Sequence, residues 1–327
     1  MSDVMKFDDE AVQRAVEILR RGGLVAIPTE TVYGLAADAS HGEGVAGIFA
    51  AKGRPQFNPL IAHVSGIAMA ERYVTFDALS RKLAELFWPG PLTIVLPLKD
   101  QQDTSRPIHP LVTAGLPTLA IRMPHGRVQE VITALDSPVA APSANTSGRI
   151  SPTSAKAVAD DLGDKIDLIL DAGPCGVGVE STIVKVEGDM VRLLRPGGLA
   201  AEDIEAAIGT KLVRTEQTEA IQAHIIAPGM MASHYAPDAA MRLAVGDVQP
   251  GEALLAFGPS RVAGAETAKA VLNLSADGNL REAASNLFDF MRKLDATGAS
   301  TIAVEPIPFD GLGEAINDRL NRAAAPR

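Results

Sequence analysis

The chain has 327 residues, which favours two domains over one, and 46% of them are hydrophobic, enough for two cores. A formal net charge of −10 at pH 7 argues against nonspecific nucleic-acid binding over the whole surface but allows a local basic groove. The single cysteine, Cys175, excludes an internal disulfide and is compatible with a reducing compartment. No membrane span or signal peptide is predicted, so the expected location is the cytoplasm.

Hydrophobic periodicity predicts a mixture of helices and strands in the first part of the chain. Residues 9–21 have the helical spacing of Val12, Val16 and Leu19, and two glycines stop this helix. The elements predicted after it are a strand at 24–27, a helix at 43–51, a strand at 60–64, a helix at 78–87, strands at 92–96 and 119–122, a helix at 127–135, a strand at 138–141, a helix at 153–162, and strands at 168–171, 182–186 and 191–194. Because several strands follow one another without a helix, we predict an α/β domain with a twisted mixed sheet.

The pattern weakens after this domain and then resumes. We predict a catalytic domain at 1–209, a linker or lid at 210–237, and a smaller Rossmann-like α/β domain at 238–327. The elements predicted in the second domain are strands at 241–245, 252–257, 269–274 and 301–305, and helices at 279–296 and 312–324. Its loops show no comparable cluster of reactive side chains, which favours a regulatory, docking or lid-supporting role.

Several standard signatures of catalysis and nucleotide binding are missing from the sequence. It contains no Gly-Lys-Ser/Thr phosphate loop, no Gly-x-Gly-x-x-Gly turn, no His-Glu-x-x-His, no cysteine pair and no Gly-x-Ser-x-Gly elbow. Any nucleotide chemistry must therefore use another scaffold. Three polar segments, 28–34, 52–58 and 141–148, each follow a hydrophobic run or a helix, and together they predict one site built from several loops.

Cationic side chains recur at these loops. Lys52 and Arg54 flank a glycine on a constrained turn, which suits phosphate oxygens, although a basic helix end that complements the helix dipole explains them equally well. Arg122 ends an apolar strand two residues before a proline and could hold a carboxylate bidentately; an ion pair with one of the protein's own acids is the alternative. Arg195 repeats this arrangement. Two such arginines favour anionic ligands.

Three further groups have a structural and a functional interpretation. His63 lies inside an apolar strand, where a histidine is more often a core residue than a catalytic one. Glu180-Ser-Thr182 follows a glycine-rich segment that can bring backbone amides close to a ligand, but a plain connecting loop has the same composition. Cys175 has no neighbouring histidine or helix start to activate it, so we interpret it as passive.

Seven motifs together closely resemble the YrdC-like threonylcarbamoyl-AMP synthase family in its long, two-domain form. They occur in the family's order within residues 10–200, and the segments Pro228-Gly-Met230 and His234-Tyr-Ala-Pro237 resemble its linker. The seven motifs are Pro28-Thr-Glu-Thr-Val-Tyr-Gly-Leu35, Lys52-Gly-Arg-Pro55, Pro59-Leu-Ile-Ala-His63, Trp88-Pro-Gly-Pro-Leu-Thr93, Ala141-Pro-Ser-Ala-Asn145, Glu180-Ser-Thr-Ile183 and Arg195-Pro-Gly197.

The resemblance implies a nucleotidyltransferase that joins L-threonine, bicarbonate and ATP into threonylcarbamoyl-AMP and releases pyrophosphate. A partner transferase would then pass the threonylcarbamoyl group to the tRNA adenosine next to the anticodon; direct tRNA contact stays open. It also implies a large concave cavity in the first domain, closed by the linker, and Mg²⁺ held mainly by the phosphates of ATP. No single general base stands out.

The resemblance also assigns residues to the two substrates. Lys52 and Arg54 are expected to stabilise the phosphates during catalysis. The expected threonine pocket consists of Thr31, His63, Arg122, Ala141 and Ser181. The expected ATP side consists of Arg54, Asn58, Thr118, Ser143, Asn145, Ser151, Arg195 and Tyr235.

Two other functions remain as alternatives. The first is a module that binds tRNA or double-stranded RNA without turnover, with Lys52, Arg54 and Arg149 in a basic groove. The second is a related carbamoyl-adenylate enzyme that uses another amine or carbamoyl donor.

Overall fold

The computed structural model describes residues 2–102, 104–214 and 233–326. The strands in these ranges are β1 (Asp3–Lys6), β2 (Val25–Ile27), β3 (Gly34–Asp38), β4 (Ile61–His63), β5 (Leu92–Pro97), β6 (Thr118–Arg122), β7 (Val139–Ala140), β8 (Leu168–Asp171), β9 (Thr182–Glu187), β10 (Met190–Arg195), β11 (Val213–Arg214), β12 (Ala240–Arg242), β13 (Ala253–Ala256), β14 (Val271–Asn273) and β15 (Thr301–Val304). The α-helices are α1 (Asp9–Arg20), α2 (Gly42–Lys52), α3 (Ile67–Ala70), α4 (Ala78–Phe87), α5 (Pro110–Thr113), α6 (Val128–Leu135), α7 (Ala155–Leu162), α8 (Ala201–Ile208), α9 (Leu280–Asp295) and α10 (Leu312–Ala324).

The first domain is built on one large sheet with the strand order β1-β8-β2-β3-β7-β4-β6-β5-β9-β10-β11. Parallel pairs such as β4 with β6 alternate with antiparallel pairs such as β5 with β6. The predicted mixed sheet is therefore confirmed. Its central strands are buried, and the helices α1, α2, α6 and α7 supply apolar residues to the main core.

The second domain is a small sheet with the order β12-β15-β13-β14, in which every pair is parallel. The helices α9 and α10 pack against it and supply most of the helical residues of a second core. The predicted smaller α/β domain is therefore confirmed, and Leu312–Ala324 matches the helix predicted at 312–324. No helix among the described residues is both long and apolar enough to cross a membrane.

The second core contains residues from both domains. Val32, Ile150 and Val179 of the first domain belong to the same cluster as the buried faces of α9 and α10. Arg292 on α9 donates to the carbonyl oxygens of Ile150 and Ser151 at 3.1 and 3.2 Å. The second domain therefore packs directly against the loops that follow the strands of the large sheet.

Some elements differ from the sequence prediction. The strands β1, β3 and β11 and the helices α3, α5 and α8 were not predicted, and the strands of the second domain are each one to three residues shorter than expected. In the predicted linker, 210–237, residues 210–214 and 233–237 are described; residues 215–232, including Pro228-Gly-Met230, lie outside the described residues. The boundaries at 209 and 237 stay predictions.

Candidate active site

One row across the large sheet carries the polar groups of the site. In the strand register His63 on β4 pairs with Arg122 on β6, and Arg195 on β10 pairs with Ile183 on β9. The intervening strand β5 places Thr93 opposite Ile183. Paired residues share a face of the sheet, so these side chains point to one side. Arg122 and Arg195 are three strand spacings apart, roughly 14 Å.

Arg122 is buried at the end of β6, where it binds three first-domain groups. Its Nε donates to the carbonyl oxygen of Gly90 at 3.0 Å, its Nη1 donates to Oγ1 of Thr31 at 3.0 Å, and its Nη2 lies 2.6 Å from Oε1 of Glu30. The ion pair that the sequence left as an alternative is therefore present. Arg122 nevertheless lines the cavity, so the same guanidinium is exposed to a ligand.

The threonines around Arg122 form a connected group of hydroxyls. Oγ1 of Thr29 lies 2.8 Å from Oγ1 of Thr31 and donates to the carbonyl oxygen of Val32 at 2.7 Å. On the neighbouring strand, Oγ1 of Thr93 lies 2.8 Å from Oγ of Ser181. These hydroxyls are buried, and they are positioned by the turn after β2, by β5 and by the residue before β9.

His63 lies beside Arg122 as a neutral group. Burial, and after it the charge of Arg122, lower the pKa of His63 to about 3. Its Nδ1 is buried and has no hydrogen-bond partner among the described residues. Since His63 also lines the cavity, this nitrogen can bind a ligand there but is too weak a base to take up a proton at neutral pH.

Arg54 and Arg195 supply the positive charge elsewhere in the cavity. Nη2 of Arg54 donates to the carbonyl oxygen of Pro59 at 2.8 Å, and Nη2 of Arg195 donates to that of Ser181 at 2.8 Å. Burial, and after it the charge of Arg195, lower the pKa of Arg54 to about 10. The register of β10 shifts between Leu193 and Arg195, and such a bulge redirects a side chain.

Lys52 holds the loop that follows β7. It is the last residue of α2, which ends at Gly53 in the left-handed conformation with φ 60°. Its Nζ donates to the carbonyl oxygens of Ser143 and Asn145 at 2.6 and 2.5 Å. Burial, and after it the charge of Arg54, lower the pKa of Lys52 well below its usual value. Lys52 does not line the cavity, so its predicted role at the phosphates stays a prediction.

Glu180 is the acid of the cavity, and the sequence analysis did not assign it a role. Burial would raise the pKa of Glu180, but Arg319 and Arg195 hold it at about 2. Oγ of Ser151 donates to Glu180 Oε1 at 2.5 Å, and Nε of Arg319 donates to Glu180 Oε2 at 2.7 Å. Arg319 belongs to α10, so the second domain contributes a charge next to this site from a helix and not from its loops.

His234 and Tyr235 close the cavity from the linker side. Tyr235 is buried, and its ring centroid lies 5.5 Å from that of Phe288 on α9. Burial lowers the pKa of His234 to about 3; Glu180 opposes this shift, whereas the nearby cations add to it. Cys175, outside the cavity, is buried with its pKa raised to about 12 by burial, which agrees with a passive thiol.

The enclosed cavity has a volume of about 50 Å³, room for a few water molecules, so it is smaller than the large concave cavity that the resemblance implies. All five predicted threonine-pocket residues line it, as do Arg54, Ser143, Arg195 and Tyr235 from the predicted ATP side. Asn58, Thr118, Asn145 and Ser151 do not, and their ATP roles stay predictions. The lining residues that the sequence analysis left unassigned are Thr29, Val32, Gly34, Ile61, Pro142, Glu180 and His234.

Two of the four predicted ATP-side residues that do not line the cavity, Thr118 and Asn145, have clear structural positions. Thr118 begins β6. Alternate residues of a strand share a face, so Thr118 lies on the same side of the sheet as Ala120 and Arg122. Asn145 Nδ2 donates to the carbonyl oxygens of Thr146 and Arg149 at 2.8 and 2.9 Å, so its amide stabilises its own loop.

A mixed α/β sheet whose cavity is lined by guanidinium, hydroxyl and neutral imidazole groups is typical of proteins whose ligands are small anionic molecules. The Sua5/YciO/YrdC family, described as telomere recombination, matches residues 17–197. A second family, described as the C-terminal domain of threonylcarbamoyl-AMP synthase, matches residues 199–325. The chain belongs to the Sua5/YciO/YrdC family, in the form that carries this second domain.

Similar proteins cover the whole chain. The threonylcarbamoyl-AMP synthase of Bacillus subtilis is 39% identical, over 100% of this chain and 96% of its own length. That of Pyrococcus abyssi is 38% identical over 98% of this chain and 96% of its own length. The crystal structure of P. abyssi Sua5 complexed with L-threonine superposes with a TM-score of 0.86 at 35% identity, covering 99% of this chain and 97% of that one.

Proposed function

We propose that the chain is a threonylcarbamoyl-AMP synthase, which joins L-threonine, bicarbonate and ATP and releases pyrophosphate. The observation that carries this proposal is a single cavity with Arg122, Thr31 and His63 on one side and Arg54 and Arg195 on the other. An amino-acid carboxylate suits Arg122, and phosphates suit the second pair. Relatives of that name match the full chain, and the P. abyssi protein was solved with L-threonine.

The chemistry needs positioning more than proton transfer. The amine of threonine adds to carbon dioxide and releases a proton, or displaces water from bicarbonate, to form a carbamate. The carbamate oxygen then attacks the α-phosphorus of ATP as the bond to pyrophosphate breaks. Arg54 and Arg195 would stabilise the charge on the phosphates, and Arg122 would orient threonine. The neutral His63 fits a binding role, because its pKa of about 3 leaves it unprotonated.

Magnesium is proposed as part of the ATP substrate and not as a resident ion. No group of three or more His, Cys, Asp or Glu side chains among residues 2–102, 104–214 and 233–326 could hold a metal ion. The cationic and hydroxyl groups of the cavity suit phosphate oxygens, which themselves ligate Mg²⁺. ATP and Mg²⁺ would therefore arrive as one complex.

The product is a mixed anhydride, so a consuming step must follow quickly. We propose that a tRNA threonylcarbamoyl transferase takes the group to the adenosine next to the anticodon, which makes this chain the first enzyme of that modification. The cytoplasm is the proposed location; the single Cys175 is compatible with it but would look the same in a cysteine-poor secreted protein. We also propose weak contact with tRNA during hand-over, and the test below includes a measurement of tRNA binding.

The test is to incubate the protein with ATP, Mg²⁺ and bicarbonate, with L-threonine, L-serine or no amino acid, and to measure pyrophosphate and nucleotide products. Pyrophosphate release that needs both threonine and bicarbonate is expected. Valine and carbamoyl phosphate in place of the substrates test the related carbamoyl-adenylate enzyme. Untouched ATP together with bound tRNA would contradict the proposal and favour the RNA-binding alternative, which none of the similar proteins supports.

A further inference from the structure

Arg319 reaches from the second domain to the wall of the cavity. It lies on α10, and its side chain is 0% exposed. Its Nε donates to Glu180 at 2.7 Å, while its Nη1 donates to Asp318 at 2.6 Å. Glu180 lines the cavity, so the carboxylate of the first domain has its counter-ion in the second.

The same guanidinium supports the residue that closes the cavity. It stands 5.2 Å from the ring centroid of Tyr235, and the ring of Phe288 lies 5.5 Å from that of Tyr235. Tyr235 has a φ of 63°, a left-handed conformation that is costly for an aromatic residue and persists only where its surroundings impose it. Arg319 and Phe288, both from the second domain, are part of those surroundings.

Residues 233–237, which we call the lid strap, are attached to both domains. The backbone N–H of Ala236 donates to the carbonyl oxygen of Gly148 in the first domain at 2.8 Å. The N–H of His234 donates to the carbonyl oxygen of Arg322 at 3.1 Å. Arg322 lies three residues after Arg319, on the adjacent turn of α10. One helix of the second domain thus holds both the strap and Glu180.

We propose that Arg319 is a positioning residue of the synthase: through Glu180 and Tyr235 it locks the lid strap over the cavity, so that the second domain shields the adenylate from water. The inference rests on the proposed function. The reaction to be prevented is attack of water on the anhydride, in which the carbamate–phosphate link breaks and N-carboxythreonine and AMP form. Exclusion of water is the established way in which a closed site protects such a product.

The experiment compares Arg319→Met and Arg319→Lys with a control on the same helix, Glu314→Gln. Glu314 forms another contact between the domains, an ion pair with Arg214 at 2.9 Å, but does not line the cavity. Early in the reaction, pyrophosphate, intact adenylate and AMP are measured for each protein. Arg319→Met is expected to raise AMP per pyrophosphate roughly tenfold. Arg319→Lys, which keeps the charge, restores part of the difference, and Glu314→Gln matches the parent.

A variant that only destabilises the fold lowers the amount of active protein without changing the ratio of AMP to pyrophosphate. If Arg319→Met does not fold, the double variant Glu180→Gln/Arg319→Met is tested instead, because it leaves no buried unpaired carboxylate. The same rise in AMP per pyrophosphate is expected. If the AMP-to-pyrophosphate ratio of Arg319→Met equals that of Glu314→Gln, the inference about Arg319 is overturned and the proposed function still stands. A parent protein without threonine-dependent pyrophosphate release overturns the proposed function as well.

Discussion

At the scale of single residues, burial places the cavity's cations in an unfavourable environment. Burial, and after it the charge of Arg195, lower the pKa of Arg54 to about 10, and burial also lowers the pKa of Arg195. A polyphosphate would relieve the repulsion between these two charges and replace their lost hydration. The same groups that cost energy in the folded protein therefore suit the binding of an anionic substrate.

The first prediction concerns the carboxylate clamp. Arg122→Lys keeps a positive charge but loses the planar fork that can bind a carboxylate through two nitrogens. The KM for L-threonine is expected to rise by about 10- to 100-fold, the equivalent of about 1.5–3 kcal/mol for a hydrogen bond to a charged group. Steady-state kinetics with each substrate varied in turn measure this. The KM for ATP is the internal control; an equal rise in both values would contradict a threonine-specific role.

The second prediction separates two roles for Lys52. Because its ammonium donates to two buried carbonyl oxygens, Lys52→Met should lower the free energy of unfolding by about 2–5 kcal/mol. Urea unfolding measures this, with exposed Lys156→Met as the control. Unchanged stability with a raised KM for ATP would instead place Lys52 at the phosphates, as the family resemblance predicts.

At the scale of elements, the sequence predicted long periodic helices better than short buried strands. The spacing of apolar residues places α10 and, within one residue at each end, α9. The strand β3 has the sequence Gly-Leu-Ala-Ala-Asp and is buried throughout, so it shows neither alternation nor β-branched residues. Pairing with β2 and β7, which the chain order does not reveal, makes it a strand.

The same limit applies to the site. Arg122 and Arg195 were predictable because each ends an apolar strand one or two residues before a proline. Arg319 was not predicted, because its role depends on contact between domains. One signal was present: Ile316, Arg319 and Leu320 share the buried stripe of α10, where a charged residue needs a partner. The sequence could not identify that partner as Glu180.

The third prediction concerns the approach of β9 to the turn after β10. A Cβ atom at Gly197 would lie 2.4 Å from backbone atoms of Glu180, Ser181 and Thr182. Gly197→Ala therefore displaces the start of β9, and activity is expected to fall roughly 100-fold. Threonine-dependent pyrophosphate release measures it. Gly176→Ala, where a Cβ meets nothing within 4 Å, is the control, and equal activities of the two variants would refute this interpretation.

At the scale of the whole molecule, the shared core makes the first domain dependent on the second. A chain that ends at Arg214 lacks α9 and α10 and exposes Val32, Ile150 and Val179, which now belong to the second core. The fourth prediction is that this truncated chain binds more of a hydrophobic dye, aggregates at lower temperature and loses synthase activity. Full solubility with the parent's thermal midpoint would show that the domains merely adjoin.

Acid sensitivity is the second property of the whole molecule, because three buried groups act in the same direction. His63 and His234 have folded pKa values of about 3, so below pH 6.5 the unfolded chain binds protons that the folded chain does not, and stability falls as pH falls towards 3. Glu180, held at about 2, adds stability that is complete above pH 4.5 and is lost as pH falls through 4.5 towards 2.

The fifth prediction follows from those signs. Between pH 6 and pH 5 the two histidines should reduce the free energy of unfolding by up to about 1.4 kcal/mol per pH unit each, before Glu180 contributes. Urea unfolding of the parent and of His63→Leu at pH 7.5, 6 and 5 measures the slopes. The free energy of unfolding of His63→Leu should fall less steeply with falling pH, because the contribution of His63 to the slope is removed. Parallel slopes would mean that His63 takes up its proton in the folded protein, and that the cavity is more accessible to water than its burial indicates.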